Sequence, residues 1–373
     1  MHQKKILQLI QSLTEPYTAP YQEHEVSIVL HQWLTKQQIA YKTDTYGNTL
    51  VHMRRGHAKQ NIAFVAHLDH PSLSVDKIRG ERIYCSTLGG MPYKGLKNYP
   101  IIFLGTHGEQ IHGRVQSSQA KTTQGRTFLK SAIVGVNREE ARRLKHGNVG
   151  ILNIPGFVQH KSRLRLRVAD DLLGCVAILT ALDDLKHATH DVDVWAVFTR
   201  AEEVGFHGTL GFLQNNCIPK NAILVSVECS KAIGEVALGR GPVIRVGDRH
   251  GPFHPDVFQL LVHAAKRIKG PTFSYQSAWL TGGTCEATAF SAFGYKAGGI
   301  ALPLLNYHNQ GPHGVEPEEI NFHDLINGIK LIVRIVREAA LAGSAQSNYK
   351  KTLIKTSKAG LSKLQRNHGY YKK

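Results

Sequence analysis

The stretch NIAFVAHLD, residues 61–69, runs five apolar side chains together before it reaches His67, Leu68 and Asp69. A strand with one face in water alternates apolar and polar residues, whereas an unbroken apolar run of this length marks a strand covered on both faces. Three other runs share the pattern: DVDVWAVFTR (191–200), AILVSVE (222–228) and AGGIALPLL (297–305). Helical periodicity covers 22–37, 171–186, 254–269 and 318–341, with Val, Ile and Leu recurring every three or four positions in the first two. Strands and helices written in turn predict an α/β fold, with a mixed, mainly parallel sheet carrying helices on both faces. The main unit is expected over 1–76 and 166–345.

The intervening segment, 77–165, has a different texture. Short β-like pieces (RIYCSTL, PIIFLGT, IHGRVQ, AIVGV, VGILNI) are separated by Gly, Asn and Lys, and REEARRLKH is its one helix-like stretch. A small β-barrel inserted between two strands of the main sheet is the expected result. The net charge of +18 is unevenly placed: residues 77–167 carry +13 and residues 349–373 carry +8, leaving −3 for the remainder. The last 25 residues are Lys/Ser-rich with little core material, and they read as a basic tail dispensable for chemistry.

Five isolated cysteines show neither metal-finger spacing nor the density of a disulfide framework, and they read as reduced thiols. The N-terminal apolar residues Ile6, Leu7, Ile10 and Leu13 are interrupted by Gln and Ser, unlike a signal-peptide core. No apolar run approaches the roughly 18 residues of a membrane helix. The expected location is the cytoplasm.

Ionisable residues stand at or just beyond the ends of the apolar runs: His67, Asp170 in RVADDLLG, Glu202 and Glu203 in FTRAEEVG, Glu228, and His308 in LNYHNQG. Singly, each has an ordinary reading. A histidine after a strand is commonly a satisfied loop residue, Asp-Asp before an apolar helix is commonly an N-cap, and Glu-Glu is commonly a solvated turn. Their convergence on one sheet edge, where open α/β sheets bind ligands, calls for a cation, because clustered carboxylates repel one another without one. Two divalent metals fit the composition. Zinc accepts both imidazole and carboxylate, a pair needs one shared ligand, and a short carboxylate such as Asp170 can bridge. One metal would take His67 and an acid, the other His308 and an acid, with open positions for the water or hydroxide that attacks a carbonyl.

With these residues in this order, the chain resembles the deblocking, tetrahedral and glutamyl aminopeptidases, a family of cocatalytic dizinc exopeptidases. The motifs are HLDHPSLSV, DDLLGC, EEVGFHG, LTGGTCEAT and ALPLLNYHN, together with GVNREEARRLKHGNVGIL ahead of the aspartate pair, and the resemblance covers roughly residues 1–340. The resemblance implies metal ligands at His67, Asp170, Glu203, Glu228 and His308. It implies Glu202 as general base and acid, and Asp69 as the hydrogen-bond partner that fixes the tautomer of His67. It also implies a cis Asp170–Asp171 peptide, two divalent metals of which Zn2+ is first choice and Co2+ or Mn2+ alternatives, peptide substrates, and a homo-oligomer assembled through the insert. Three positions depart from the family pattern: Glu228 stands where Asp is usual, Leu172 where Arg commonly follows the aspartate pair, and Cys285-Glu286 where GGT is followed by Asp.

Two other readings compete. A related amidase of the same clan, a deacylase or carboxypeptidase, would not require a free substrate amine. A nucleic-acid or ribosome-associated protein on a peptidase scaffold would use the basic insert and tail, but the sequence lacks aromatic-basic RNA signatures, so this partner is not favoured. A third use of the charge is steering of acidic peptides, with Arg163, Arg165 and Arg167 the natural places to test it. His207, His313 and His323 are weak substrate-contact candidates. Gly239-Arg240-Gly241 is a loop without the context of a phosphate site, and Trp33, Trp195 and Trp279 are expected in the core.

Overall fold

The computed structural model describes residues 3–105, 108–123, 125–215, 217–341, 352–358 and 361–363. The four apolar runs form four adjacent strands, in the spatial order Val192–Thr199, Ile62–His67, Ile223–Lys231, Lys296–Leu304, all mutually parallel. Antiparallel neighbours extend this core on both sides. Thr49–Arg55 and Tyr41–Thr43 follow beyond Val192–Thr199, and Val243–Asp248 and Gly251–Pro252 beyond Lys296–Leu304. The nine-stranded mixed sheet is completed by Gln276–Trp279, paired with Val243–Asp248.

Burial on both faces follows from the pleat, which sends successive side chains to opposite sides. Along Ile62–His67, Ile62, Phe64 and Ala66 join the core under helices Gln3–Thr14, His24–Lys36, Leu172–Lys186, Pro255–Lys266 and Phe322–Leu341, while Ala63 and Val65 join the core under His207–Gln214 and Glu286–Ala292. The predicted α/β sheet with helices on both faces is therefore the observed one.

Six strands close a barrel in the order Ser72–Arg79, Arg82–Leu88, Arg126–Val136, Gln110–Thr123, Pro100–Leu104, Val149–Leu152, with its own apolar core. A third, three-stranded sheet joins Phe157–His160 and Arg163–Leu166 to Glu318–Asn321. Here the structure departs from the sequence reading, which began the last helix at 318. The helix starts at Phe322, because Glu318–Asn321 is drawn into pairing with Arg163–Leu166. REEARRLKH likewise yields a single helical turn, Arg138–Ala141.

The descent from the small sheet into Leu172–Lys186 carries the aspartate pair. Asp171 caps this helix by accepting from the Gly174 amide at 3.2 Å, and the Asp170–Asp171 peptide is cis, as expected. Of the basic tail at 349–373, residues 352–358 and 361–363 are helical and nearly all exposed, and the rest of that segment lies outside the described residues. Among the described residues no helix is long and apolar enough to cross a membrane.

The glycine of DDLLG has a steric reason. A Cβ on Gly174 would lie 2.4 Å from Asp171 Oδ1 and 2.6 Å from the Val227 carbonyl oxygen, with backbone unable to yield. Gly174→Ala is therefore expected to destabilise the protein by about 1–3 kcal/mol, the usual cost of overpacking, and to lower metal retention together with it. Denaturant unfolding and elemental analysis check both.

Candidate metal centre and active site

The carboxyl edge of the four parallel strands is where the predicted residues meet. His67 closes its strand, Glu202 and Glu203 follow Val192–Thr199, Glu228 lies inside Ile223–Lys231, and His308 sits in the turn Tyr307–Asn309 after Lys296–Leu304. Asp170 arrives just ahead of Leu172–Lys186. Two triads of ligand atoms fall within metal-binding reach of one another, His67 with Asp170 and Glu228, and Asp170 with Glu203 and His308. Asp170 belongs to both: Oδ1 lies 3.6 Å from His67 Nε2 and Oδ2 3.6 Å from His308 Nε2. Glu203 Oε1 is 3.0 Å from His308 Nε2, and Glu228 Oε2 is 3.9 Å from His67 Nε2. A third triad joins His67, Glu202 and Glu203, with Glu202 Oε2 3.8 Å from His67 Nε2.

Asp170 Oδ1, Glu203 Oε1 and His308 Nε2 are buried and have no hydrogen-bond partner among the described residues. Buried polar atoms are rarely left so, and three of them within one cluster of imidazoles and carboxylates suit cation ligation. His308 Nδ1 meets the Gly90 carbonyl oxygen at 2.9 Å, which orients Nε2 inward.

Asp69 is placed differently from expectation. His67 Nδ1 bonds the backbone carbonyl of Asp69 at 3.2 Å, while the carboxylate stands 3.6 Å from that nitrogen, beyond hydrogen-bonding range. Its two oxygens accept instead from the amides of Glu202 and Glu203, at 2.9 and 3.1 Å. Asp69 thus holds the Glu-Glu turn rather than the imidazole.

Several neighbours escaped the sequence reading. His70 bonds the Asp170 carbonyl at 2.8 Å and Asn309 Oδ1 at 3.1 Å. Glu23 accepts from Arg200 and from the Ala201 amide just before Glu202. Glu318, fully buried, accepts from the amides of Ala169, Asp170 and His308. His70 follows directly on the HLD motif and was within reach of inspection, whereas Glu318 stood hidden in an assumed helix.

The secondary candidates have these contacts. His207 bonds Tyr21 at an exposed position, His323 bonds Asn327, and Gly239 and Gly241 donate to Asp324. Trp195 is buried and Trp33 packs on the core, but Trp279 is half exposed, its indole N–H donating to the Asp248 carbonyl. Arg163, Arg165 and Arg167 are not free cations. The first two hold Glu319, and Arg167 is buried, donating to the carbonyls of Thr14, Glu15, Pro16 and Ile154. Replacing Arg167 would disturb packing, and replacing the half-exposed Arg163 and Arg165 would break their pairing with Glu319 as well as change the surface charge.

Burial, reinforced by neighbouring carboxylates, raises Glu202 and Asp171 well above the carboxylate range and pushes Glu228 up to about 8. Burial opposes a charged imidazole at His67 and His308, yet the surrounding carboxylates outweigh it and raise both. Burial also opposes ionisation of Asp170, but the two flanking imidazoles prevail and hold it low.

A parallel α/β sheet that gathers imidazoles and carboxylates at its carboxyl edge, with unpaired ligand atoms turned inward, defines a metal-dependent hydrolase. Residues 47–331 match the family model described as M42 glutamyl aminopeptidase, and the chain belongs to that family. It is a metallo-aminopeptidase, and membership implies divalent metal ions. A protein of Acetivibrio thermocellus named "Putative aminopeptidase" is 26% identical over 351 residues, covering 90% of this chain and all of that protein. An aminopeptidase from the archaeon Desulfurococcus kamchatkensis superposes with a TM-score of 0.76 at 22% identity, covering 91% of this chain and 96% of its own. The TET1 peptidase of Pyrococcus horikoshii, described as able to assemble into a tetrahedron or a large octahedral shell, gives a TM-score of 0.74 at 22% identity, over 89% and 99% of the two chains.

The charge arrangement predicts an unusual pH response for the metal-free protein. An acid raised in the fold stabilises most when protonated, and that contribution is lost as pH climbs from its ordinary value to its folded one, which for Glu228 is about 8. Raised histidines lose their contribution in the same direction, and Asp170, held low, acts oppositely only below the ordinary carboxylate range. The Tm of chelator-treated protein should therefore fall between about pH 5.5 and about pH 8, and divalent metal should erase the difference. A metal-free Tm that rises over this interval would contradict the arrangement.

Proposed function

We propose that this chain is a dizinc aminopeptidase of the cytoplasm that removes N-terminal residues from short peptides, and that Asp170 bridges the two metals. The observation that supports this reading best is that the two oxygens of Asp170 address His67 and His308 separately, each at 3.6 Å. One metal would be held by His67, Asp170 and Glu228, the other by Asp170, Glu203 and His308. Catalysis would fall to residues 1–76 and 166–345, with 77–165 the inserted unit and 349–373 an appended basic tail.

Bound divalent metal supplies a Lewis acid that polarises the scissile carbonyl and makes water easier to deprotonate. Glu202 takes the proton from the attacking water on a carboxylate oxygen and hands it to the departing amine nitrogen. Its burial makes the carboxylate a stronger base than one in water, and beside bound cations it would stay ionised and ready to receive that proton. Asp69, bonded to the amides of Glu202 and Glu203, keeps the base and its neighbouring ligand in register with His67.

Glu202→Gln is expected to retain two metals per chain and to lower kcat by about 100-fold or more, the scale of general acid–base catalysis. His67→Ala is expected to lose metal. Metal loss in the first variant and retention in the second would invert the roles. The same preparation should cleave aminoacyl amides and leave their N-acetylated counterparts intact, and hydrolysis of the acetylated forms would move the enzyme to the deacylases.

We also propose that the enzyme is a homo-oligomer built through the barrel, in keeping with the assemblies described for the structurally similar TET1 peptidase. Light scattering on the purified chain should give a multiple of 41.3 kDa, and a monomer at micromolar concentration would dismiss this.

A further inference from the structure

Two of the proposed ligands owe their backbone positions to one carboxylate that is not itself a ligand. Glu318 opens the short strand Glu318–Asn321, opposite Leu166 in the three-stranded sheet, so its backbone is fixed by a ladder outside the metal site. Its Oε2 accepts from the amides of Ala169 and Asp170 at 2.7 and 3.0 Å, and its Oε1 from the amide of His308 at 2.7 Å. These three donors come from the loop before Leu172–Lys186 and from the turn Tyr307–Asn309, which lie about 140 residues apart in sequence.

The turn needs such a restraint. His308 has φ of 54°, in the left-handed region that a histidine adopts only when its surroundings impose it, and Asn306 and Asn309 on either side are also left-handed. The bond to Glu318 is the one its amide makes, while Nδ1 is held by Gly90. Asp170 is bracketed in the same way, its amide bonded to Glu318 and its carbonyl to His70, with His70 in turn on Asn309 of the turn. Glu319, the next residue, faces the opposite side and binds Arg163 and Arg165, so the two acids divide their work by the alternation of the strand.

We infer that Glu318 is the positioning residue of the metal centre, fixing the distance between the bridging Asp170 and His308. The inference rests on the ligand assignment proposed above. Replacing Glu318 by Gln keeps size and shape but leaves an amide N–H₂ facing an N–H donor at one end. With the remaining oxygen on the Ala169–Asp170 pair, the conflict falls on His308 and releases the turn.

The test uses the full-length metal-loaded enzyme and its metal-free form, with zinc affinity measured by chelator competition and kcat and KM followed on an aminoacyl amide. Glu318→Gln should weaken zinc binding by about tenfold to a hundredfold, the usual effect of losing an outer support, with the weaker of the two binding steps affected more. At saturating zinc, kcat should fall while KM stays near wild type. Glu319→Gln, equally buried in the same strand, should leave zinc affinity unchanged. Glu318→Asp, which keeps the charge but withdraws the oxygens by one methylene, should also weaken zinc binding and provides the measurement should the Gln variant not fold. Wild-type affinity in either folded Glu318 variant overturns the inference, as does equal weakening by Glu319→Gln. His308→Ala separates the two levels of the argument. If it loses zinc while the Glu318 variants do not, only the positioning role fails, whereas if it retains both metals, the ligand assignment fails.

Discussion

A dry cleft that holds many carboxylates together is the constraint on which the rest of this molecule depends. Asp170, Asp171, Glu202, Glu203, Glu228 and Glu286 are crowded at one sheet edge with the imidazoles of His67 and His308 among them. Removing charges from water costs several kcal/mol each after relaxation, and like charges at these separations repel further. Burial, together with this crowding, raises the proton affinity of Asp171, Glu202, Glu228 and Glu286. Divalent cations reverse its sign, because the same geometry that is repulsive when empty of positive charge is a strong ligand field around it.

Such a site cannot be positioned by its ligands alone, since their mutual repulsion would spread them. The fold meets this with carboxylates turned to backbone amides instead of toward the metals. Asp69 holds Glu202 and Glu203, Glu23 holds Ala201 and Arg200, Asp171 caps the helix behind Asp170, and Glu318 holds Asp170 and His308. Each gathers N–H donors that a strand end or turn leaves unpaired, and so converts loose chain into fixed geometry. The barrel takes part as well. The Gly90 carbonyl sets the ring of His308, and a Cβ on Gly90 would meet both that ring and Phe128 of the barrel hairpin at 3.1 Å. Arg126, at the turn of the same hairpin, comes within 3.3 Å of where a Cβ on Gly282 would stand, beside the cleft lined by Arg245, Thr284 and Tyr307.

The central strands were legible because an unbroken apolar run has few outcomes other than a strand covered on both sides, and the parallel order then brings their carboxyl ends to one edge. His67, the Glu202–Glu203 pair, Glu228 and His308 could be singled out as candidates for the same reason, and the roles within the set came from the family resemblance. Glu318 could not. EEIN has no apolar run and adjoins a strongly amphipathic helix, so only the long-range pairing with Arg163–Leu166 makes it a strand. Asp69 was found for its motif but given another contact, because sequence order places it beside His67 and only the fold brings the Glu-Glu turn to its oxygens. The arginines at 163, 165 and 167 show the limit of charge counting: their alternation marks a strand, but Glu319 and four backbone carbonyls absorb their donors.

The three departures from the family pattern acquire physical meaning from their surroundings. Leu172 is fully buried in the main core, so a charged residue there would lack water, and the chain has given that position to packing. Glu286 follows the buried Cys285 and accepts from the hydroxyls of Thr199 and Thr209, which leaves its second oxygen unpaired beneath the sheet edge. It thereby adds negative charge behind Glu202 and Glu228 without a line of approach of its own among the metal-binding triads. Glu228, one methylene longer than the usual aspartate, uses one oxygen to accept from Ser226 Oγ at 3.2 Å and turns the other toward His67. The buried guanidinium of Arg245, on the strand beyond Lys296–Leu304, contributes positive charge to Glu228. The longer side chain thus lets one oxygen anchor to its own strand while the other faces His67.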